Sequence, residues 1–153
     1  MSPVLDASDH RHAVCCELIF SVARSSGSAR LRVHGTSMLP ALWPGDVITI
    51  LRCNFSELRP GQIVVYFRNG NLTAHRLHCI TGDHLITRGD TLPNFDPPIK
   101  AAEVAGIVES VVRDGRTLPP KRSRKQDLFS LFLRRSDLCR RLTLRLARRT
   151  QPR

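Results

Sequence analysis

Long apolar runs, paired cysteine motifs and lysine are all scarce in this chain, and each shortage narrows what it can be. No window approaches the ~20 uninterrupted apolar residues that a membrane-spanning helix requires. The nearest, residues 13–23, is short, contains Glu17 and follows Asp6 and Asp9, which also makes it a poor signal peptide. The five cysteines, Cys15, Cys16, Cys53, Cys79 and Cys139, are odd in number and form no Cys-x-x-Cys pair. That argues against a disulfide scaffold and against a cysteine zinc site, and it suits a reducing compartment. A cytoplasmic protein, at most peripheral to the inner membrane surface, is therefore expected. Lysine occurs only at Lys100, Lys121 and Lys125, so most of the chain has no amine side chain to serve as a base.

The formal net charge of +11 over 153 residues is unevenly spread. Residues 121–153 hold twelve basic side chains against Asp127 and Asp137, so the tail carries ten of the eleven charges and the rest of the chain is close to neutral. The length fits one domain with appendages. The expected division is an N-terminal helix and linker over residues 1–30, a β domain over 31–116, and a basic linker with an amphipathic helical tail over 117–153. In the tail, Leu128, Leu131, Phe132, Leu138, Leu142 and Leu146 recur at helical spacing, with arginines filling most of the other face. Such a helix has three uses, in order of preference: docking on the β body or a partner, peripheral contact with an anionic membrane through residues 126–149, and nucleic-acid binding, which is the least favoured.

Residues 8–25 read as a helix capped by Ser8 or Asp9, with Val14, Leu18, Ile19 and Val22 on the face expected to pack against a sheet. The run of Ser25, Ser26, Gly27 and Ser28 ends it. Strands are expected over 31–33, 47–51, 62–67, 72–80, 84–87 and 104–112. Asn69-Gly70 supplies a two-residue hairpin turn between two of them. Short strands with regular turns predict a mainly β fold, a coiled or barrel-like antiparallel sheet with the two helices as additions.

The chain is organised around one stretch between the first two strands. There Gly35, Thr36, Ser37, Met38 and Pro40 are followed by Pro44-Gly45-Asp46. A glycine two residues before Ser37 permits close approach of another backbone, and the prolines remove local freedom, so the hydroxyl can be held in one place. Downstream come His75-Arg76 in a strand-like run, Gly89-Asp90, Asp96, and a later strand containing Gly106. Serine, histidine and aspartate are the parts of a nucleophile, its base and the orienter of that base.

These five pieces, in this order, resemble the signal peptidase I superfamily, which includes the LexA-type self-cleaving repressors. The resemblance covers about residues 31–112. It implies a β fold and a serine endopeptidase acting on a protein or peptide without cofactor or metal. Ser37 would be the nucleophile. The base position holds His75 and no lysine lies near it, so the chain is similar to the histidine branch of eukaryotic and archaeal signal peptidases. That branch carries two aspartates six residues apart, matched by Asp90 and Asp96; spacing does not say which orients the base, and Asp96 is preferred, with Asp90 supporting the loop. Gly35, Thr36 and Met38 would form the oxyanion and substrate-positioning surroundings. Many signal peptidases place a serine where this chain has Gly35, so the oxyanion would rest on backbone N–H groups such as that of Ser37, helped by Thr36. This departure keeps two rivals in view: a weak or inactive peptide-binding module of the same fold, and a nucleic-acid-associated regulator working through the tail.

His75, His78 and Cys79, with His84 nearby, lie close enough in sequence to raise a metal site. Strand alternation sends His75 and Cys79 one way and His78 the other, which counts against it. Ala105-Gly106 resembles the bond that LexA-type proteins cut in themselves, but here it follows the nucleophile in an expected core strand and is read as structural.

Overall fold

A computed structural model describes residues 7–120. The tail helix expected at 126–149 and its membrane and nucleic-acid uses lie outside the described residues. Helix α1 (Ala7–Ser26) is followed by eight strands: β1 (Ser28–Arg32), β2 (Val47–Leu51), β3 (Ile63–Arg68), β4 (Asn71–Thr81), β5 (His84–Arg88), β6 (Ile99–Lys100), β7 (Val104–Arg113) and β8 (Arg116–Leu118). All pairs are antiparallel, in the order β1-β2-β7-β3-β4-β5-β6. The last strand, β8, pairs with the end of β7. The path is open, running from β1 at one end to β6 at the other without closing. The expected domain bound at residue 30 falls within β1, and β8 carries the sheet past the bound at residue 116.

Local chemistry explains most of these elements. At the tip of the β3–β4 hairpin, Asn69 and Gly70 both take positive φ, 52° and 76°, the geometry that asparagine and glycine tolerate. Strand β3 buries four residues in a row because both faces of the sheet are covered. Ile63 and Val65 join a cluster that includes Met38, Leu42, Ile48 and Ile50. Val64 and Tyr66 join a second, with Leu58, Leu77, Leu85 and Ile99. The two-residue strand β6 exists because Ile99, fully buried, is drawn into that second cluster.

Helix α1 lies where it was expected, on the sheet, but of the four residues expected to face it only Ile19 is half-buried. Val14, Leu18 and Val22 are 52%, 63% and 43% exposed, whereas Cys16 and Ala23 are buried and Phe20 stacks on Phe67 at 5.3 Å between ring centroids. Among the described residues, no helix is long and apolar enough to cross a membrane.

Candidate active site

The loop between β1 and β2 is fixed before it presents Ser37. The N–H of Val33 donates to the Asp46 carbonyl and that of Gly45 to the Val33 carbonyl, both at 2.8 Å, closing the loop at its base. Met38, Leu39 and Leu42 sink into the interior. Asp46, itself buried, accepts the Trp43 N–H at 2.7 Å and a forked pair of bonds from Arg113 at 2.8 and 2.7 Å. The Pro-Gly-Asp piece of the motif thus ties the loop to the end of β7.

From the other side, residues 89–91 clamp the backbone of Ser37 itself. The Ser37 carbonyl accepts the Thr91 N–H at 2.9 Å and the Thr91 hydroxyl at 3.1 Å. This crossing requires glycine at position 89, where a Cβ would stand 2.9 Å from the Ser37 carbonyl oxygen. At Gly35 the sequence reading is corrected. A Cβ there would meet no atom within 4 Å, so no backbone uses that glycine for close approach. The tight passages are at Gly89 and at Gly106, where a side chain would run into the Leu51 carbonyl.

Strand β4 brings His75 to Ser37. Its Nε2 lies 3.0 Å from the Ser37 Oγ, and its Nδ1 lies 2.7 Å from Asp96 Oδ2. A carboxylate only accepts, so Nδ1 carries the proton and Nε2 presents its lone pair to the serine hydroxyl. His75 is 6% exposed, which leaves little water to compete for either bond.

Asp96 is itself held from three sides. The Thr87 hydroxyl donates to Oδ2 at 2.5 Å, and the Asp96 N–H donates to the Thr87 carbonyl at 2.9 Å. Burial pushes its carboxyl up, but hydrogen bonds from His75, Thr87 and Tyr66, with the electrostatic attraction of the His75 ring, outweigh burial and hold it below the usual carboxylate range. Burial, with the charge of Asp96, raises the Tyr66 phenol to about 12, so it remains a donor. The neighbouring residue, Phe95, has the Arg88 guanidinium 4.5 Å from its ring centroid and packs at right angles to the His78 ring, with centroids 4.9 Å apart.

Asp90 does not reach the imidazole. Both its oxygens face Arg76, with Nε to Oδ1 at 2.8 Å and Nη2 to Oδ2 at 2.7 Å, and Arg76 also donates to the Gly61 carbonyl. Asp90 therefore anchors the loop, and Asp96 alone of the two carboxylates meets His75. Of the other positions, Gly35 and Met38 line the cleft beside Ser37, Met38 from a buried place in its floor. Thr36 is not among the cleft residues; its carbonyl faces the Thr91 hydroxyl. Thr87, Tyr66 and Thr91 carried no local signal in the sequence, since each reaches the site through strand pairing or a loop crossing.

The strand parity used for the metal cluster does not survive in β4, because a bulge between Leu77 and Cys79 shifts the register. Among the described residues, no group of three His, Cys, Asp or Glu side chains is placed to hold a metal. Ala105 and Gly106 are buried in β7, with Gly106 paired to Val65.

A serine hydroxyl, an imidazole and a carboxylate in one hydrogen-bonded row can move the serine proton onto the ring while the carboxylate balances the charge that forms. The row opens onto a cleft of about 570 Å³, walled by α1, by residues 30–35 and by the start of β4. No curated protein matches the chain. A family model described as Peptidase S24-like matches residues 5–89, which include Ser37 and His75 and end one residue before Asp90. With more than half its length matched to that model, the chain belongs to the Peptidase S24-like family.

Proposed function

We propose that the chain is a serine endopeptidase resembling the histidine branch of the signal peptidases. Ser37 Oγ attacks the scissile carbonyl carbon as its proton passes to His75 Nε2. The same proton then goes to the leaving amine nitrogen as the C–N bond breaks, leaving an acyl-enzyme. Water attacks that ester, His75 takes its proton, and the acid product leaves as Ser37 regains its hydrogen. Asp96 keeps the ring in the required tautomer and stabilises the imidazolium. The observation that carries this reading is the continuous row of Ser37, His75 and Asp96 at 3.0 and 2.7 Å.

The substrate lies extended in the cleft. Strand β1 ends the sheet with one edge unpaired, and Asn71–Ala74 of β4 pair with β3 alone, since β5 begins its pairing at Arg76. Both walls thus offer main-chain groups to an added strand. Gly35 favours a second reading, a peptide-binding module with weak chemistry, because no side-chain hydroxyl is available there for the oxyanion. A serine-reactive β-lactone or peptide aldehyde separates the two. Labelling of the wild type that is lost in both Ser37→Ala and His75→Ala is expected of the peptidase. A Ser37→Ala protein that cleaves a peptide library as fast as wild type would falsify it.

A further inference from the structure

The cleft beside Ser37 has an apolar floor and a basic rim. Met38, Leu42 and Ile48 form part of the floor, and the residues lining it include Arg30, Arg32 and His34 but, among the described residues, no aspartate or glutamate. The cations are ordered by the strand that carries them. Along β1 and its extension, Ala29, Leu31 and Val33 turn inward to the first apolar cluster, while Arg30, Arg32 and His34 occupy the alternate, exposed positions. Arg30 and Arg32 make no ion pair among the described residues. Their guanidinium charges are therefore uncommitted.

From this alternation we infer that the peptide taken at the cleft carries acidic side chains at alternate positions in the segment lying against β1. This rests on the reading of the cleft as a peptide site and adds the class of substrate. An added strand has the same two-residue repeat as β1, about 6.6 Å, so one side-chain set of the peptide falls opposite Arg30, Arg32 and His34 along its whole length. Opposite charges directly across a strand pair attract, and basic residues there repel. The remaining side chains of the peptide turn to the apolar floor. The preferred segment thus alternates acidic and apolar residues and ends near Ser37.

Binding is measured with the full 153-residue chain carrying Ser37→Ala, so that no cleavage intervenes. The probes are labelled peptides of about eight residues, enough to span the strand, with glutamate or glutamine at alternate positions between apolar residues. The glutamate peptide is expected to bind about threefold more tightly for each acidic position, about tenfold for two, with the advantage shrinking as salt is added. Arg30→Glu with Arg32→Glu reverses the preference, and the paired glutamine substitutions abolish it; both positions are exposed, so the fold is kept. Equal binding of the two peptides overturns the inference and leaves the cations as guards against pairing of the sheet edge with another chain. A preference that survives the charge reversal overturns it too, assigning the attraction to the basic tail. Cleavage of the same peptides by wild type is scored separately. Its absence counts against the peptidase reading and does not alter the binding result.

Discussion

Asp90 and Asp96 are the same side chain in different company, and their neighbours determine what each does. Asp96 Oδ2 meets an imidazole and a hydroxyl, while Asp90 spends both oxygens on Arg76. Asp96→Asn is expected to lower kcat by about 10³–10⁴ with the fold intact, because an amide there no longer enforces the tautomer. Asp90→Asn leaves the buried Arg76 charge without its counter-ion and is expected to cost about 3–5 kcal/mol of stability, read from chemical denaturation. A reversed pattern, with Asp90→Asn crippling the rate in a stable protein, would exchange the two roles. The open space at Gly35 makes a gain testable at the same scale. Gly35→Ser places a hydroxyl near the developing oxyanion and is expected to raise kcat by about tenfold or more, while Gly35→Ala leaves it unchanged. Equal rates in all three proteins would show that backbone donors already suffice.

Helix α1 shows what periodicity can and cannot settle for an element. Apolar residues sit nearly all round it, at 13–16, 18–20 and 22–23, so the sequence pattern does not single out a face. The packed face is chosen by fit. Ala13 rests against the hairpin glycine Gly70, where a Cβ would come within 3.0 Å, Ala23 is small enough to be fully buried, and Phe20 meets Phe67. Phe20→Ala is accordingly expected to cost about 2–3 kcal/mol, and Leu18→Ser to stay within about 0.5 kcal/mol of wild type. The order of those two denaturation midpoints tests the assignment of faces. Strand β2 begins at Val47, where its β-branched run predicts, and β5 begins at His84, the expected start. Strands β6 and β8, of two and three residues, have too little sequence to announce themselves and form by pairing with neighbours already in place.

At the scale of the whole molecule, ion pairs join segments far apart in the chain: Asp46 to Arg113, Arg76 to Asp90 and Arg68 to Glu103. Hydrogen bonds from Arg68, against a smaller opposing effect of burial, hold the Glu103 carboxyl at about 2. A carboxyl whose pKa is depressed by folding binds fewer protons in the native than in the unfolded state. Its contribution is complete above the ordinary value of 4.5 and is lost as the pH falls toward about 2. Asp96, also depressed, adds a loss that begins below its ordinary 3.8. Because the Arg68–Glu103 pair is a quarter exposed, solvent screening limits it to roughly 1 kcal/mol. Glu103→Gln is expected to remove that part of the slope of stability against pH between 4.5 and 2, and an unchanged slope would mean that the pair contributes nothing.

The sequence by itself determined the mainly β class, the Asn69-Gly70 turn and the choice of Ser37 and His75 as the pair to be brought together, because each is written in a short motif along the chain. It left the two aspartates unresolved and gave no sign of Thr87, Tyr66 or Thr91. Those assignments depend on which strands lie side by side and where a bulge resets their register. Only the tertiary structure decided them, because a hydrogen bond across a sheet is fixed by strand pairing between segments whose separation in sequence carries no record of it.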